Sequence, residues 1–208
     1  MTTGGGDVSR ARLRGVYALV DPLAVEPIGF VEALLRGGIR IVQVRAKAGI
    51  DGATLIAIVT RVRAAGGIAI LNDDVGLARL ADGVHLGQED AAAVDLPAVR
   101  RALGSRYIGL SCGTPQEARA ADPALFDYVA AGPLFATTSK DDAGLPIGIS
   151  GARAVAEATA LPCAVIGGIS VERVRPARES GAAMVALASA LICDDPVAAA
   201  RACVENWG

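Results

Sequence analysis

The chain has 208 residues and is 52% hydrophobic, which suits one folded domain with a well-buried core. Its formal net charge of −2 and its aromatic content of 3% supply neither the basic surface nor the stacking side chains that nucleic-acid binding requires. The composition therefore excludes a disordered or fibrous protein and predicts that nucleic acid is not a partner.

Targeting and cysteine patterns indicate neither a membrane nor a redox role. No stretch approaches the roughly 20 uninterrupted apolar residues that span a bilayer, and the first residues lack the apolar region of a signal peptide. We therefore expect a cytoplasmic protein without a membrane partner. The four cysteines lie far apart without a CxxC pair, so we interpret them as small apolar core residues.

Short apolar runs alternate with helical patterns after a Gly-, Thr- and Arg-rich segment, 1–14, that predicts a flexible N-terminal tail. The apolar runs have strand length and cover 15–20, 39–45, 68–72, 83–86, 107–112, 128–134, 162–169 and 184–189. The helical patterns cover 30–38, 53–66, 96–104, 151–160, 171–181 and 194–206. Eight such units predict an α/β fold, a single-domain (β/α)8 TIM barrel over residues 15–208.

The second predicted strand changes from apolar to cationic along one face. Period-two alternation places Ile39, Ile41, Gln43, Arg45 and Lys47 on that face, opposite an apolar face that must pack on helices. The last three side chains should therefore point into the barrel mouth, where the active sites of such barrels lie. Two cations and an amide suit a diphosphate. The alternative is an ordinary strand end with solvated charges.

Hard oxygen ligands follow the third and fourth strands. The third strand ends in Asn72 and Asp73, and the fourth runs through His85 to Gln88 and Asp90. Carboxylates at adjacent strand ends, facing a cationic strand, fit a Mg²⁺ ion that substrate phosphates and water complete. The alternative is that each aspartate only caps the following helix. His85, the only histidine, suits a hydrogen-bonded core role as well as a catalytic one.

The connection after the sixth strand, 135–150, is polar and long for a chain of this size, and it predicts an active-site flap. It carries three hydroxyls and an ammonium, at Thr137, Thr138, Ser139 and Lys140. A solvated loop is the alternative. The flap lies between the cationic site and the ends of the last two strands.

The seventh and eighth predicted strands end in Gly167-Gly168-Ile169-Ser170 and in Ser189-Ala190, each followed by the start of a helix. The loops after these strands bind phosphate in many barrels, because glycine lets backbone N–H groups approach the anion. Ordinary turn glycines would give the same pattern. If both sites are real, two anionic substrates would fill them.

These motifs resemble those of thiamine phosphate synthases, in order and spacing, from about residue 16 to the end. The matching segments are VQVRAK (42–47), LNDD (71–74), GVHLGQED (83–90), GLSC (109–112), GPLFATTSK (132–140), VIGGI (165–169) and ALASAL (186–191). HLGQED and the GPLFATTSK flap are the specific ones, whereas the GGI turn is shared by many phosphate-binding barrels.

The resemblance implies a magnesium-dependent transferase with two phosphorylated substrates. It would join 4-amino-2-methyl-5-(diphosphooxymethyl)pyrimidine to 4-methyl-5-(2-phosphooxyethyl)thiazole, giving thiamine phosphate and pyrophosphate. The implied reaction is dissociative: pyrophosphate leaves, a pyrimidine-methyl cation forms, and the thiazole nitrogen captures it without a protein nucleophile.

The resemblance also implies roles for individual residues. The pyrimidine diphosphate would be held by Gln43, Arg45, Lys47, Asn72, Ser111 and Lys140, of which Arg45, Ser111 and Lys140 would be catalytic. The thiazole phosphate would be held by Thr137, Thr138, Ser139, Gly167, Gly168, Ala188 and Ser189. Asp73 and Asp90 would bind Mg²⁺, and His85 and Gln88 are further candidates.

Three alternatives are weaker. A thiazole tautomerase would carry a histidine where Gly113 stands, a sugar-phosphate or indole-pathway isomerase would need a different acid–base pair, and a regulatory binding barrel would have lost a catalytic position. The sequence departs from the family pattern at Ala46, Asp74, Ala136 and Ser139. Ser139 keeps the hydroxyl and Ala136 alters only the stiffness of the flap, whereas Asp74 changes the local charge beside the candidate metal site. The sequence leaves the oligomeric state open, a homo-oligomer included.

Overall fold

The computed structural model describes residues 10–137 and 144–208, and its eight parallel strands close into a barrel in chain order. The strands are β1 (Gly15–Val20), β2 (Ile41–Val44), β3 (Ile68–Asn72), β4 (Gly83–Leu86), β5 (Tyr107–Cys112), β6 (Tyr128–Ala131), β7 (Cys163–Ile166) and β8 (Met184–Leu187). The predicted (β/α)8 barrel is confirmed, with β2, β6, β7 and β8 shorter than the apolar runs that predicted them.

Helices follow the strands on the outside of the barrel. They are α1 (Pro27–Arg36), α2 (Gly52–Ala64), α3 (Gln88–Ala92), α4 (Leu96–Leu103), α5 (Pro115–Ala120), α6 (Gly148–Glu157), α7 (Val174–Ala177) and α8 (Pro196–Trp207). Aspartates cap several of them; the Asp51 carboxylate, for example, accepts from the Thr54 N–H at 2.9 Å. Within the described ranges no helix is long and apolar enough to cross a membrane.

Two short helices, α3 and α5, were not predicted, and one predicted helix is broken. Residues 171–181 form short 3-10 turns on either side of α7 instead of one continuous helix. Pro176 lies within this stretch and has no N–H to donate, which works against a long helix. The short helices were missed because five or six residues are too few to show a helical period.

Alternation along the strands separates two apolar layers. Val42 and Val44 pack in the outer layer, between strands and helices, whereas Ile41 lies in the layer that fills the barrel. Ile39 was predicted on the inner face and lies in the outer layer. The reason is that β2 begins only at Ile41, so the period of two does not extend back to residue 39.

Part of the predicted tail packs against the barrel. The Leu13 side chain is 2% exposed and belongs to the layer inside the barrel. The Arg10 guanidinium donates to the Phe126 carbonyl at 3.0 Å and lies 3.5 Å from the Asp127 carboxylate. The predicted boundary at residue 14 is therefore too late, because an apolar side chain two residues before β1 helps to fill the barrel.

The cysteines are free thiols and three of the four are buried. Cys112, Cys163 and Cys203 lie in the core as predicted, and burial raises the pKa of the Cys163 thiol to about 12. Cys193 is exposed, so the prediction was wrong for that residue. It lies in the connection between β8 and α8, where no apolar layer covers it.

Candidate active site

The cationic face of β2 reaches the mouth of the barrel. Gln43 is only 3% exposed inside the barrel, and its Nε2 donates to the Tyr17 hydroxyl at 2.6 Å. Arg45 follows the end of β2, and its backbone N–H donates to the Val20 carbonyl at 2.8 Å. Arg45 is half-buried and Lys47 is exposed. The side chain of Gln43 thus points inward as the alternation predicts, with both cations just beyond it.

The chain turns sharply where β3 ends. The Asp74 N–H donates to the Asn72 carbonyl at 2.7 Å, and the Asp73 N–H donates to the His85 carbonyl at 2.9 Å. Asp73, at the apex, has a φ of 62°, the single positive value among the described non-glycine residues. That conformation costs on the order of 1 kcal/mol for a residue with a Cβ, and such strain is concentrated at functional sites.

Asp73 and Asp90 lie side by side in the mouth of the barrel. The pKa of Asp73 is raised above its ordinary value because the surrounding protein removes part of its hydration, and because the charge of Asp90 and a hydrogen bond to it add to the effect. The charges of Lys47 and Arg45 act in the opposite direction. The fold therefore brings the two predicted metal ligands together and places both predicted cations near them.

Two aspartates near the mouth of the barrel, Asp90 and Asp74, accept hydrogen bonds from nearby backbone N–H groups. The Asp90 carboxylate accepts from the Gly87 N–H at 3.2 Å at the start of α3, as the capping alternative predicts. A carboxylate has about four lone-pair sites, so one capping bond leaves room for a cation. Asp74 accepts from the Leu77 N–H at 2.9 Å, so the departure from the family pattern at that position serves a local turn.

Ser111 is held from two sides near the end of β5. The His85 Nε2 and the Ser111 Oγ are 3.0 Å apart, and the Gln88 Nε2 donates to the Ser111 carbonyl at 2.6 Å. His85 is 7% exposed, and burial lowers its pKa to about 4 despite the opposing charge of Asp90, so the ring is neutral at neutral pH. His85 is therefore a hydrogen-bonded interior residue that also contacts a candidate catalytic serine.

Two tyrosines that were not predicted link these groups. The Tyr17 and Tyr128 hydroxyls are 2.9 Å apart, and the Tyr128 hydroxyl is 3.0 Å from the His85 Nδ1. Both side chains lie at inward-facing strand positions. A phenol at such a position is the signal that could have found them, because a buried hydroxyl needs a partner.

A cavity of ≈ 460 Å³ lies across the mouth, at the ends of β7 and β8. It is lined by Ala136, Thr137, Gly168, Ile169, Ser170, Ser189 and Ala190. The cavity brings together three residues of the predicted thiazole-phosphate set, Thr137, Gly168 and Ser189. Thr138, Ser139 and Lys140 lie outside the described residues.

The other two predicted members of that set adjoin the cavity. The Gly167 carbonyl accepts from the Phe135 N–H at 3.0 Å, and Gly167 has a φ of 100° that favours glycine. Ala188 lies next to Ser189 and packs on the layer that fills the barrel. The first residues of the flap therefore run directly alongside the β7 loop.

Comparison with known proteins decides the family. A family model described as "Thiamine monophosphate synthase" matches residues 16–191. The chain belongs to the thiamine monophosphate synthase family. It is accordingly an enzyme, a transferase, as the sequence predicts, and the sequence resemblance is confirmed.

Relatives and a solved structure agree with this assignment. The chain is 42% identical to a thiamine-phosphate synthase of Roseiflexus castenholzii over 198 residues, 90% of this chain and 85% of that protein. It is 45% identical over 199 residues to "Thiamine biosynthesis bifunctional protein ThiM/ThiE" of Symbiobacterium thermophilum, covering 92% of this chain but 40% of that longer protein. The structure of thiamine phosphate pyrophosphorylase from Pyrococcus furiosus superposes with a TM-score of 0.83 at 26% identity, covering 94% and 96% of the two chains.

Gly168 sets how closely residues 135–136, at the start of the predicted flap, approach the loop after β7 in this member of the thiamine monophosphate synthase family. It has a φ of 64°, and a Cβ there would overlap the carbonyl oxygens of Ala136 and Phe135. We expect Gly168→Ala to destabilise the protein by about 2 kcal/mol and to raise a substrate KM, because residues 135–136 must move away. Urea denaturation and steady-state kinetics measure the two effects.

Gly181→Ala is the matched control. Gly181 has a φ of 74°, but a Cβ there meets nothing within 4 Å. Gly181→Ala should lower the free energy of unfolding only by the backbone strain, about 1 kcal/mol, with no change in KM. Equal effects of the two substitutions would show that the approach of the flap to Gly168 does not matter.

Proposed function

We propose that this chain condenses 4-amino-2-methyl-5-(diphosphooxymethyl)pyrimidine with 4-methyl-5-(2-phosphooxyethyl)thiazole to form thiamine phosphate and pyrophosphate. The observation that carries the proposal is the pair of candidate anion sites on opposite sides of one barrel mouth. One combines Arg45 and Lys47 with the Asp73–Asp90 pair, and the other is the cavity beside Gly168. Two phosphorylated substrates fit two such sites.

The pyrimidine diphosphate is assigned to the side formed by β2 to β5. Gln43, Arg45, Lys47, Asn72 and Ser111 line this side, and Lys140 from the flap would complete it. The order of strands around the barrel supports the assignment, because these residues lie on or just after β2, β3 and β5, within a run of four neighbouring strands. The thiazole phosphate is assigned to the loops after β6, β7 and β8, so the two reacting groups would meet over the centre of the mouth.

Asp73 and Asp90 fit a divalent cation. Two carboxylates within hydrogen-bonding reach repel each other, and both are exposed enough at the mouth to share an ion with water and substrate. Mg²⁺ is commonly held by one or two carboxylates and the phosphates of a substrate. When bound there, Mg²⁺ would offset the negative charge of the diphosphate.

The residues of the chain favour a dissociative substitution. The bond between the pyrimidine methylene and the diphosphate oxygen breaks, the electron pair leaves with pyrophosphate, and the thiazole nitrogen forms the new bond to the methylene. Arg45 and Lys140 stabilise the charge that grows on pyrophosphate, and Ser111 orients the substrate. Most of the rate enhancement then comes from preorganised charge, and no protein nucleophile is needed.

The test is to incubate the purified protein with both substrates and Mg²⁺ and to follow thiamine phosphate and pyrophosphate together. We expect both products in equal amounts, loss of activity with a chelator and recovery when Mg²⁺ is added back. Folded protein that binds the substrates without forming product would contradict the proposal. A cytoplasmic location, a homo-oligomeric state and the absence of nucleic-acid and membrane partners remain predictions from the sequence.

A further inference from the structure

A continuous series of hydrogen bonds crosses the interior of the barrel beneath the candidate diphosphate site. It runs from the Gln43 Nε2 to the Tyr17 hydroxyl (2.6 Å), the Tyr128 hydroxyl (2.9 Å) and the His85 Nδ1 (3.0 Å). From the His85 Nε2 it continues to the Ser111 Oγ (3.0 Å). These five residues are called the interior network.

The middle members of the interior network are buried and uncharged. Tyr17, Tyr128 and His85 are 2%, 0% and 7% exposed, so water does not compete for their hydrogen bonds. Burial raises the pKa of both phenols well above the ordinary value, and among the described residues the two ring nitrogens of the buried His85 hydrogen-bond only to the uncharged hydroxyls of Tyr128 and Ser111. Each hydroxyl therefore has one proton to donate, and the neutral ring has one N–H.

These proton counts fix which group donates in each hydrogen bond of the interior network; this order of donors and acceptors is called its direction. An amide nitrogen only donates, so Tyr17 accepts from Gln43, and donation from Tyr17 to Tyr128 is the arrangement of these groups that leaves no buried proton without an acceptor. Tyr128 then donates to the His85 Nδ1, which leaves the ring proton on Nε2. The His85 Nε2–H donates to the Ser111 Oγ, and the proton of Ser111 is left to be donated to another acceptor.

Neighbouring contacts hold this geometry in place. A Cβ at Gly109 would overlap the Tyr128 ring, so the glycine at this position of β5 leaves the space that the ring occupies inside the barrel. The Gln88 side chain holds the Ser111 backbone at 2.6 Å. Both ends of the interior network, Gln43 and Ser111, reach the side of the mouth assigned to the pyrimidine diphosphate.

We propose that Gln43 sets the direction of the interior network and thereby makes Ser111 a hydrogen-bond donor to an acceptor atom of the substrate. Tyr17, Tyr128 and His85 are then positioning residues, which act on the substrate through Ser111. The proposal rests on the proposed function only for the identity of that substrate. The direction itself is a property of the free protein and can be tested without turnover.

The single histidine makes the test direct. Labelling histidine with ¹⁵N gives the ring signals of His85 alone, and the shifts of its two nitrogens show which one carries the proton. In the substrate-free protein we expect the tautomer with the proton on Nε2. The tautomer with the proton on Nδ1 would overturn the proposal, whatever the result of the activity assay.

A substitution at the far end of the interior network tests whether Gln43 sets the direction. In Gln43→Glu, at a pH high enough for infrared spectroscopy to show the buried side chain as a carboxylate, that side chain can only accept, so every bond should reverse and the His85 proton should move to Nδ1. Adding Tyr17→Phe breaks the connection, so the tautomer should then be the same with Gln or Glu at position 43. If the His85 tautomer is the same in the wild type and in Gln43→Glu while Tyr17 is present, Gln43 does not set the direction and the proposal is wrong.

Steady-state kinetics show whether the direction of these hydrogen bonds affects how the enzyme acts on its substrate. Tyr128→Phe removes the central link, and we expect kcat/KM for the pyrimidine diphosphate to fall about tenfold, the worth of one oriented hydrogen bond. The KM for the thiazole phosphate should stay the same. Unchanged kinetics for both substrates would show that the interior network only fills the barrel.

Discussion

Asp73→Asn is expected to remove most of the activity while making the metal-free protein slightly more stable. In the folded protein the Asp73 carboxylate loses part of its hydration and lies beside Asp90, and Arg45 and Lys47 only partly offset both effects. Asparagine keeps the shape and tolerates the positive φ, but carries no charge. Activity should fall at least about 100-fold, because an anionic ligand to the proposed cation becomes neutral.

The gain in stability should depend on pH in one direction. Because the pKa of Asp73 is raised on folding, its unfavourable contribution is absent below the ordinary carboxyl pKa and develops as pH rises through the folded-state value. The wild type should therefore lose stability relative to the variant between acidic and neutral pH. Since Asp73 is largely exposed, the difference should be modest.

Urea denaturation with chelator present, over a series of pH values, measures this difference. Asp74→Asn is the matched control, because it lies in the same turn and its Oδ1 accepts from the Leu77 N–H, a bond that asparagine can keep. It should leave activity near that of the wild type. An Asp73→Asn protein less stable than the wild type at neutral pH would show that the carboxylate makes favourable contacts in the free protein.

The barrel could be predicted because its signals are local. Apolar runs of strand length recur eight times, and the alternation along β2 is enough to place Gln43 inside, as its 3% exposure confirms. The same reasoning fails where a pattern is extended past the end of an element, as at Ile39, or where an element is only one or two turns long, as in α3. Leu13 was missed because a single apolar residue before a strand shows no period.

The parts of the site that could not be predicted depend on pairing between distant segments. Tyr17 and Tyr128 are 111 residues apart, and only closure of the barrel brings their hydroxyls together. The positive φ of Asp73 occurs in a tight turn whose N–H is bonded to His85 on the neighbouring strand, and the amino acid itself does not require it. Sequence alone therefore placed the candidate site residues at strand ends but could not supply the hydrogen bonds that orient them.

Arg45→Gln should be the most damaging single loss of positive charge within the part of the site that the structure describes. The charges of Lys47 and Arg45 both oppose the rise in the Asp73 pKa, but Arg45 is half-buried whereas Lys47 is exposed to solvent. In the proposed reaction negative charge grows on the oxygens of the departing pyrophosphate, and a preorganised guanidinium would stabilise that charge with little screening by water. We expect kcat to fall by about 10² to 10³, the usual loss when one such donor is removed.

Comparison with two further variants separates charge from geometry. Arg45→Lys keeps the charge but not the planar fork, so its loss of kcat should be intermediate, about tenfold. Lys47→Gln should mainly raise the KM for the pyrimidine diphosphate, and that effect should weaken with added salt because the side chain is exposed. If Arg45→Gln instead raised KM and left kcat unchanged, Arg45 would bind the substrate and the transition state equally well. Other residues would then have to stabilise the charge on the leaving group.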